Sequence, residues 1–290
     1  MGFRHPDYAA SHGVACELPH SGGSVVMRAI DGSPRQDLAS PYPLYACRSL
    51  KSIAQDFELL PDQAVSLTLR TSPFDAADVE DIKDDFDVVT PFKTHHIVDL
   101  DGPWRDHASR NAKRYDRIAR ANFSIEPVDA PTLHAESFRD LHAAMLARIG
   151  KASSPPALES IRAQLSVPGA MLFRAMREGE PCGYAFYMVD GEQAYAHLLA
   201  VTEKARAEAV IYGLYGVALD VLSDHGVRHV DFGGNPGAAD APDHPVSRFK
   251  AGWSSHVALS YILGKILDER TYADLSSGRR GTGFPAYRYG

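Results

Sequence analysis

Apolar and polar positions alternate from Val227 to Phe232, the pattern of a buried strand. Gly233, Gly234, Pro236 and Gly237 then turn the backbone out of a sheet. Phe249, Lys250 and Trp253 follow, before a second apolar, strand-like run over 257–267. Upstream, the pattern is regular from Phe123 onward. A strand is predicted over 123–128, then an amphipathic helix over 131–149 with Leu133, Phe138, Leu141, Met145 and Ile149 facing inward. Residues 151–156 read as a linker and 157–165 as a short helix. Three strands are predicted over 170–176, 182–189 and 194–201, and Asp190-Gly191 between the last two is a hairpin signal. A long helix over 205–224 carries its apolar face on Val210, Ile211, Leu214, Val217, Ala218, Val221 and Leu222, and Gly226 ends it.

Residues 1–94 are less regular. The first 24 are polar and read as partly irregular, 41–45 as an extended, aromatic-lined segment, 50–60 as a helix and 64–70 as a strand. A short strand over 95–100 sends His95 and His96 to opposite faces, where each is expected to be structural.

Composition narrows the class. The chain of 290 residues is 44% hydrophobic and 23% charged, enough for one large or two ordinary globular domains. A net charge of -7 excludes a molecule-wide surface for polyanions, so any basic site is local. Cys16, Cys47 and Cys182 show no paired spacing, which fits reduced thiols. With no run of membrane-spanning length and no signal-like start, a cytoplasmic protein is expected. His5, His12 and His20 match no usual ligand set, so no metal is expected. Asp75, Asp78, Glu80, Asp81, Asp84, Asp85 and Asp87 read as a solvated acidic face.

Two stretches carry chemistry. Arg110, Lys113, Arg114, Arg117 and Arg120 recur every three or four residues in a helix-like run over 104–121. They form either a local footprint for phosphate or nucleic acid, or a solvated face paired with the acids of 75–87. The second is Arg248-Phe249-Lys250 with Trp253. An ammonium held near a strand end beside glycines can stabilise an oxyanion or neutralise a phosphate.

The element order, the basic helix, the strand end Asp231-Phe-Gly-Gly234 and the Arg248-to-Trp253 box together resemble the Fem family, most clearly over 95–270. These are peptidyltransferases on the GNAT acyltransferase fold that use aminoacyl-tRNA to extend a peptide. The resemblance implies an α+β fold of two tandem GNAT-like domains, 1–122 and 123–290, each a mixed, mostly antiparallel sheet flanked by helices. It implies aminoacyl-tRNA as donor with no other cofactor, and a peptide or amine-bearing natural product as acceptor, without DNA. Phe249 and Lys250 match the family's central Phe-Lys pair, whose lysine stabilises the charge formed as the ester is attacked. Asp231 either orients or deprotonates the amine or caps the strand turn. Trp253, Gly233, Gly234 and Asn235 fall at the substrate site with Arg248, a phosphate or carboxylate clamp, and Arg110, Lys113, Arg114, Arg117 and Arg120 at the tRNA site. No long heptad arm is present, which favours a smaller acceptor than a cell-wall precursor. The alternative is a CoA-dependent N-acyltransferase, but Val201 to Glu208 lacks the glycine-rich phosphate turn and carries Glu203 and Glu208.

Overall fold

The computed structural model describes residues 1–150, 156–235, 241–279 and 281–289. Most of the linker at 151–156, together with Pro236, Gly237 and Arg280, lies outside them.

In chain order the elements begin with α1 (Pro6–Ala10), β1 (Ala15–Leu18), β2 (Gly23–Ala29), β3 (Gln36–Ala39) and β4 (Ala64–Arg70). Next come α2 (Ala76–Ile82), β5 (Val88–Asp99), α3 (Arg110–Asn122), β6 (Ser124–Pro127), α4 (Ala135–Arg148) and α5 (Leu158–Ser166). The meander β7 (Ala170–Arg177), β8 (Glu180–Asp190) and β9 (Gln193–Val201) leads into α6 (Glu203–Ala207) and α7 (Val210–Asp224). The chain closes with β10 (His229–Asp231), α8 (Pro245–Ala251), β11 (His256–Ile266) and α9 (Glu269–Ser276).

Two compact units result, one of residues 1–2 and 94–257, the other of 3–93 and 258–290. Residue 122, where the sequence places its domain boundary, ends α3 inside the first of these. The second unit has strand order β1-β2-β3-β4-β11, antiparallel except for β3 beside β4. Its core gathers Leu38, Tyr45, Ile53, Leu67, Leu69 and Leu263.

The first unit has strand order β5-β10-β9-β8-β7-β6, and only β10 and β9 run parallel. β8 is buried along most of its length because helices cover both faces. Tyr187 faces α7, whereas Tyr184 and Phe186 meet Phe138 of α4. The hairpin from β8 to β9 turns at Gly191, whose φ of +60° is costly for other residues. Ser109 caps α3 by accepting the Ala112 N–H at 3.1 Å.

Several expectations change. The first 24 residues are not irregular: α1, β1 and the start of β2 lie there, with Tyr8 and Leu18 buried. Residues 50–59 form a 3-10 rather than an α-helix. Leu133 and Ile149 are exposed, and Phe138 and His142 take the buried face. Leu133 lies in a 3-10 turn at Pro131–His134 ahead of α4, and Ile149 is the C-cap beyond it, so neither lies on the helix's buried face. The long helix over 205–224 is two helices, α6 and α7, broken where Ala209 takes φ +67°.

Candidate active site

β10 pairs with β9 for three residues and stops at Asp231 opposite Tyr195, yet β9 continues to Val201. On its other edge the chain stays with β5, because the Phe232 N–H donates to the His96 carbonyl at 2.9 Å. Gly233 then turns at φ +75°. The two parallel strands therefore part, and the gap holds a cavity of about 140 Å³. Ala196 to Leu199 line one side and Phe232 another, and Tyr187, Tyr215 and Lys250 are among the other residues around it. β9 carries one extra residue here: Phe186 faces Leu198 and Tyr187 faces Ala196, which leaves His197 as the bulge. His197 Nε2 lies 3.0 Å from Gln164 Oε1 of α5.

Lys250 sits in α8, where the sequence suggests a loop between strands. Its ammonium donates to the carbonyls of Gly233 at 2.9 Å and Gly234 at 2.5 Å. The aromatics beside it anchor the helix. Phe249 meets Tyr212 at 4.9 Å and Tyr215 at 5.1 Å, and the fully buried Trp253 meets Trp104 at 5.6 Å. Ser247 bonds the buried Asn235, whose Nδ2 reaches the Ala241 carbonyl at 3.0 Å, so Asn235 ties the glycine segment to α8. Arg248 is exposed.

Asp231 is buried and does not line the cavity. It accepts the Gly233 N–H at 2.6 Å and faces His95 Nδ1 at 2.8 Å. His95 is the residue that sequence reasoning missed. Two strands distant in sequence bring it beside Asp231, and no local pattern announces that pairing. Tyr187 and Tyr215 also line the cavity, and no local motif marks either of them in the sequence. Burial raises both phenols, Tyr215 to about 12 and Tyr187 well above its ordinary value, so both stay protonated near neutrality. Burial also raises the Cys182 thiol, which donates to the Ala175 carbonyl at 3.4 Å and is a poor nucleophile.

The basic helix divides. Arg120 is held by Asp116 at 2.7 Å and Asp220 at 2.8 Å, and Asp220 also accepts from both Nη groups of Arg105 and from the Trp104 indole. Arg110, Arg114 and Arg117 are exposed and Lys113 half-buried. The acids of 75–87 find cations within their own unit: Lys51 pairs with Asp78 and Asp81, and Lys83 with Glu80. At the turn after β9, Thr202 caps α6 and Glu208 pairs with Arg177. Asp99, Asp101 and His229 bring ligand-type atoms within 4.8 Å of one another, and Arg228 meets Asp101 there at 2.5 Å.

No protein-family model matches the sequence, and no curated protein does. Solved structures do match in fold. FemX superposes with a TM-score of 0.68 at 14% identity, over 92% of either chain. The C-terminal (DUF2156) domain of a putative lysylphosphatidylglycerol synthetase from Agrobacterium fabrum gives 0.62 at 13% identity, over 93% of this chain and 90% of that one. L-PGS from Bacillus licheniformis gives 0.60 at 15% identity, over 93% and 94%. This chain thus has a FemABX-like, GNAT-type α+β fold.

Proposed function

We propose that the protein is an acyltransferase that moves an amino acid from aminoacyl-tRNA to the amine of a peptide or natural-product acceptor. The fold it shares with FemX and with a lysylphosphatidylglycerol synthetase domain supports this class. The observation that carries it is Lys250, an ammonium fixed by two glycine carbonyls where β9 and β10 part. In this reading the acceptor nitrogen attacks the ester carbonyl carbon, and Lys250 stabilises the charge that collects on the carbonyl oxygen. The carbon–oxygen bond to the ribose then breaks, and the released hydroxyl takes the proton that the amine loses. An ester is already activated, so positioning and charge stabilisation suffice without a covalent enzyme intermediate.

Phe249 and Trp253 hold α8 in register for this step, and Asn235 holds the glycine segment against it. Asp231 acts through the Gly233 turn that presents the carbonyls to Lys250. Exposed Arg248 is a clamp for a carboxylate or phosphate. Arg110, Lys113, Arg114 and Arg117 meet the tRNA phosphates, and Arg120 fixes the helix that bears them. The two units are the two GNAT-like domains, and no cofactor beyond the charged tRNA is required. Among the described residues no helix is long and apolar enough to cross a membrane, and a cytoplasmic setting would supply the donor.

The test is transfer from a pool of radiolabelled aminoacyl-tRNAs to a panel of amines, with and without RNase. Transfer is expected to be RNase-sensitive. Lys250→Ala is expected to lower kcat by about 100-fold or more with its circular dichroism unchanged, the scale of losing one oxyanion donor. RNase-insensitive transfer from an acyl-CoA thioester would overturn the assignment in favour of an N-acyltransferase.

A further inference from the structure

The aromatic residues near Lys250 do not end at the core. Tyr212 of α7, besides meeting Phe249 at 4.9 Å, packs against Tyr115 of α3 with centroids 5.1 Å apart and planes tilted by 36°. The Arg114 guanidinium lies 5.4 Å from the Tyr115 ring centre. A series of side chains thus runs from the exposed cations of α3 through Tyr115 and Tyr212 to Phe249, the neighbour of Lys250. Both tyrosines remain partly exposed.

Filling space between the helices does not explain them. α3 and α7 already touch through small residues: a Cβ on Gly213 would meet Ala119 Cβ at 2.8 Å, and one on Gly216 would meet Asp116 Oδ1 at 2.2 Å. The tyrosines flank that close contact. Partly exposed rings beside arginines suit flat, uncharged faces joined by phosphates, which is the composition of an unpaired nucleic-acid strand. Acids of these two helices are engaged: Asp116 and Asp220 are held by Arg120.

We infer that Tyr115 and Tyr212 form a stacking platform for unpaired nucleotides at the 3′ end of an RNA, leading that end from the basic face of α3 toward Lys250. The inference rests on the aminoacyl-tRNA donor proposed above and adds how its single-stranded end is held. The rings bind bases without reading their sequence, and Arg110, Lys113, Arg114 and Arg117 meet the phosphates.

The test compares two fluorescent RNA hairpins, one blunt and one with four unpaired 3′ nucleotides, by anisotropy. The intact protein is expected to bind the overhang hairpin about tenfold more tightly or better. Tyr115→Leu and Tyr212→Leu are each expected to remove most of that preference and leave the blunt hairpin's Kd unchanged. Tyr115→Phe and Tyr212→Phe, which keep both rings and the contact of residue 212 with Phe249, are expected to retain it. In transfer assays Tyr115→Leu, which leaves the contact of Tyr212 with Phe249 in place, is expected to raise KM for aminoacyl-tRNA with kcat unchanged, as loss of uniform binding does. Leucine variants that keep both the overhang preference and the KM would overturn the platform and leave the donor assignment standing. If the unaltered protein binds neither hairpin and transfers without RNA, donor and platform fall together. Thermal unfolding of Tyr115→Leu at the wild-type midpoint separates lost stacking from lost structure.

Discussion

Asp231 shows what a single carboxylate does when two strands bring it a partner. Its oxygens accept the Gly233 N–H and face the His95 ring, all in a buried setting where unmet donors are costly. Because a carboxylate only accepts, the His95 proton on this side belongs on Nδ1. Asp231→Asn keeps an oxygen for the Gly233 N–H, so the turn that offers carbonyls to Lys250 survives. Asp231→Ala strands both donors and is expected to cost about 3 kcal/mol in urea unfolding. Transfer is expected to survive largely in the asparagine variant and to fall with stability in the alanine variant. An asparagine variant that folds normally yet loses transfer as fully as Lys250→Ala would make Asp231 the base that deprotonates the amine.

At the scale of elements, the site depends on how closely α7 lies against α3. Gly216 allows that approach, since a Cβ there would sit 2.2 Å from Asp116 Oδ1 and 2.9 Å from Arg120 Nη2. Alanine gains about 1 kcal/mol of helix propensity at such a position. The clash wins, because the displaced carboxylate is buried and bonded to Arg120, and Arg120 also bonds Asp220. Gly216→Ala is therefore expected to lower unfolding stability by about 1–3 kcal/mol net, with the loss reduced when Asp116→Ala is present in the same chain. Additive losses in that double-mutant cycle would show that the contact is not the cause. The elements legible in the sequence are those with local signals. The three meander strands are short apolar runs bounded by turn residues, with Asp190-Gly191 marking the hairpin, and Gly226 does close α7. The break at Ala209 was not legible, because alanine is a strong helix former and only the chain's tertiary path puts it at φ +67°. The candidate site divides in the same way. The Phe249-Lys250 pair stands out as a motif, but the helix that carries it and the carbonyls beneath the ammonium do not. His95 and Asp231, 136 positions apart, meet only through sheet register.

At the scale of the whole molecule, electrostatics sets a condition on any RNA donor. The chain carries a net charge of -7, so long-range attraction to a polyanion is absent and association depends on local cations. Arg120 and Arg105 are neutralised by Asp116 and Asp220, which leaves Arg110, Lys113, Arg114 and Arg117 as the arc of α3 proposed to meet phosphates. About four phosphate contacts predict that log K for aminoacyl-tRNA falls with log salt at a slope near -3 to -4. Doubling the salt from about 0.1 to 0.2 M then weakens binding roughly tenfold. Arg114→Gln with Arg117→Gln is expected to flatten that slope by about two, whereas Tyr115→Leu, which removes no charge, is expected to weaken binding at every salt and keep the slope. The same titration thus separates phosphate contacts from base stacking. A slope that the arginine variants leave unchanged would move the RNA footprint off α3, because counterion release is counted only where phosphates are met.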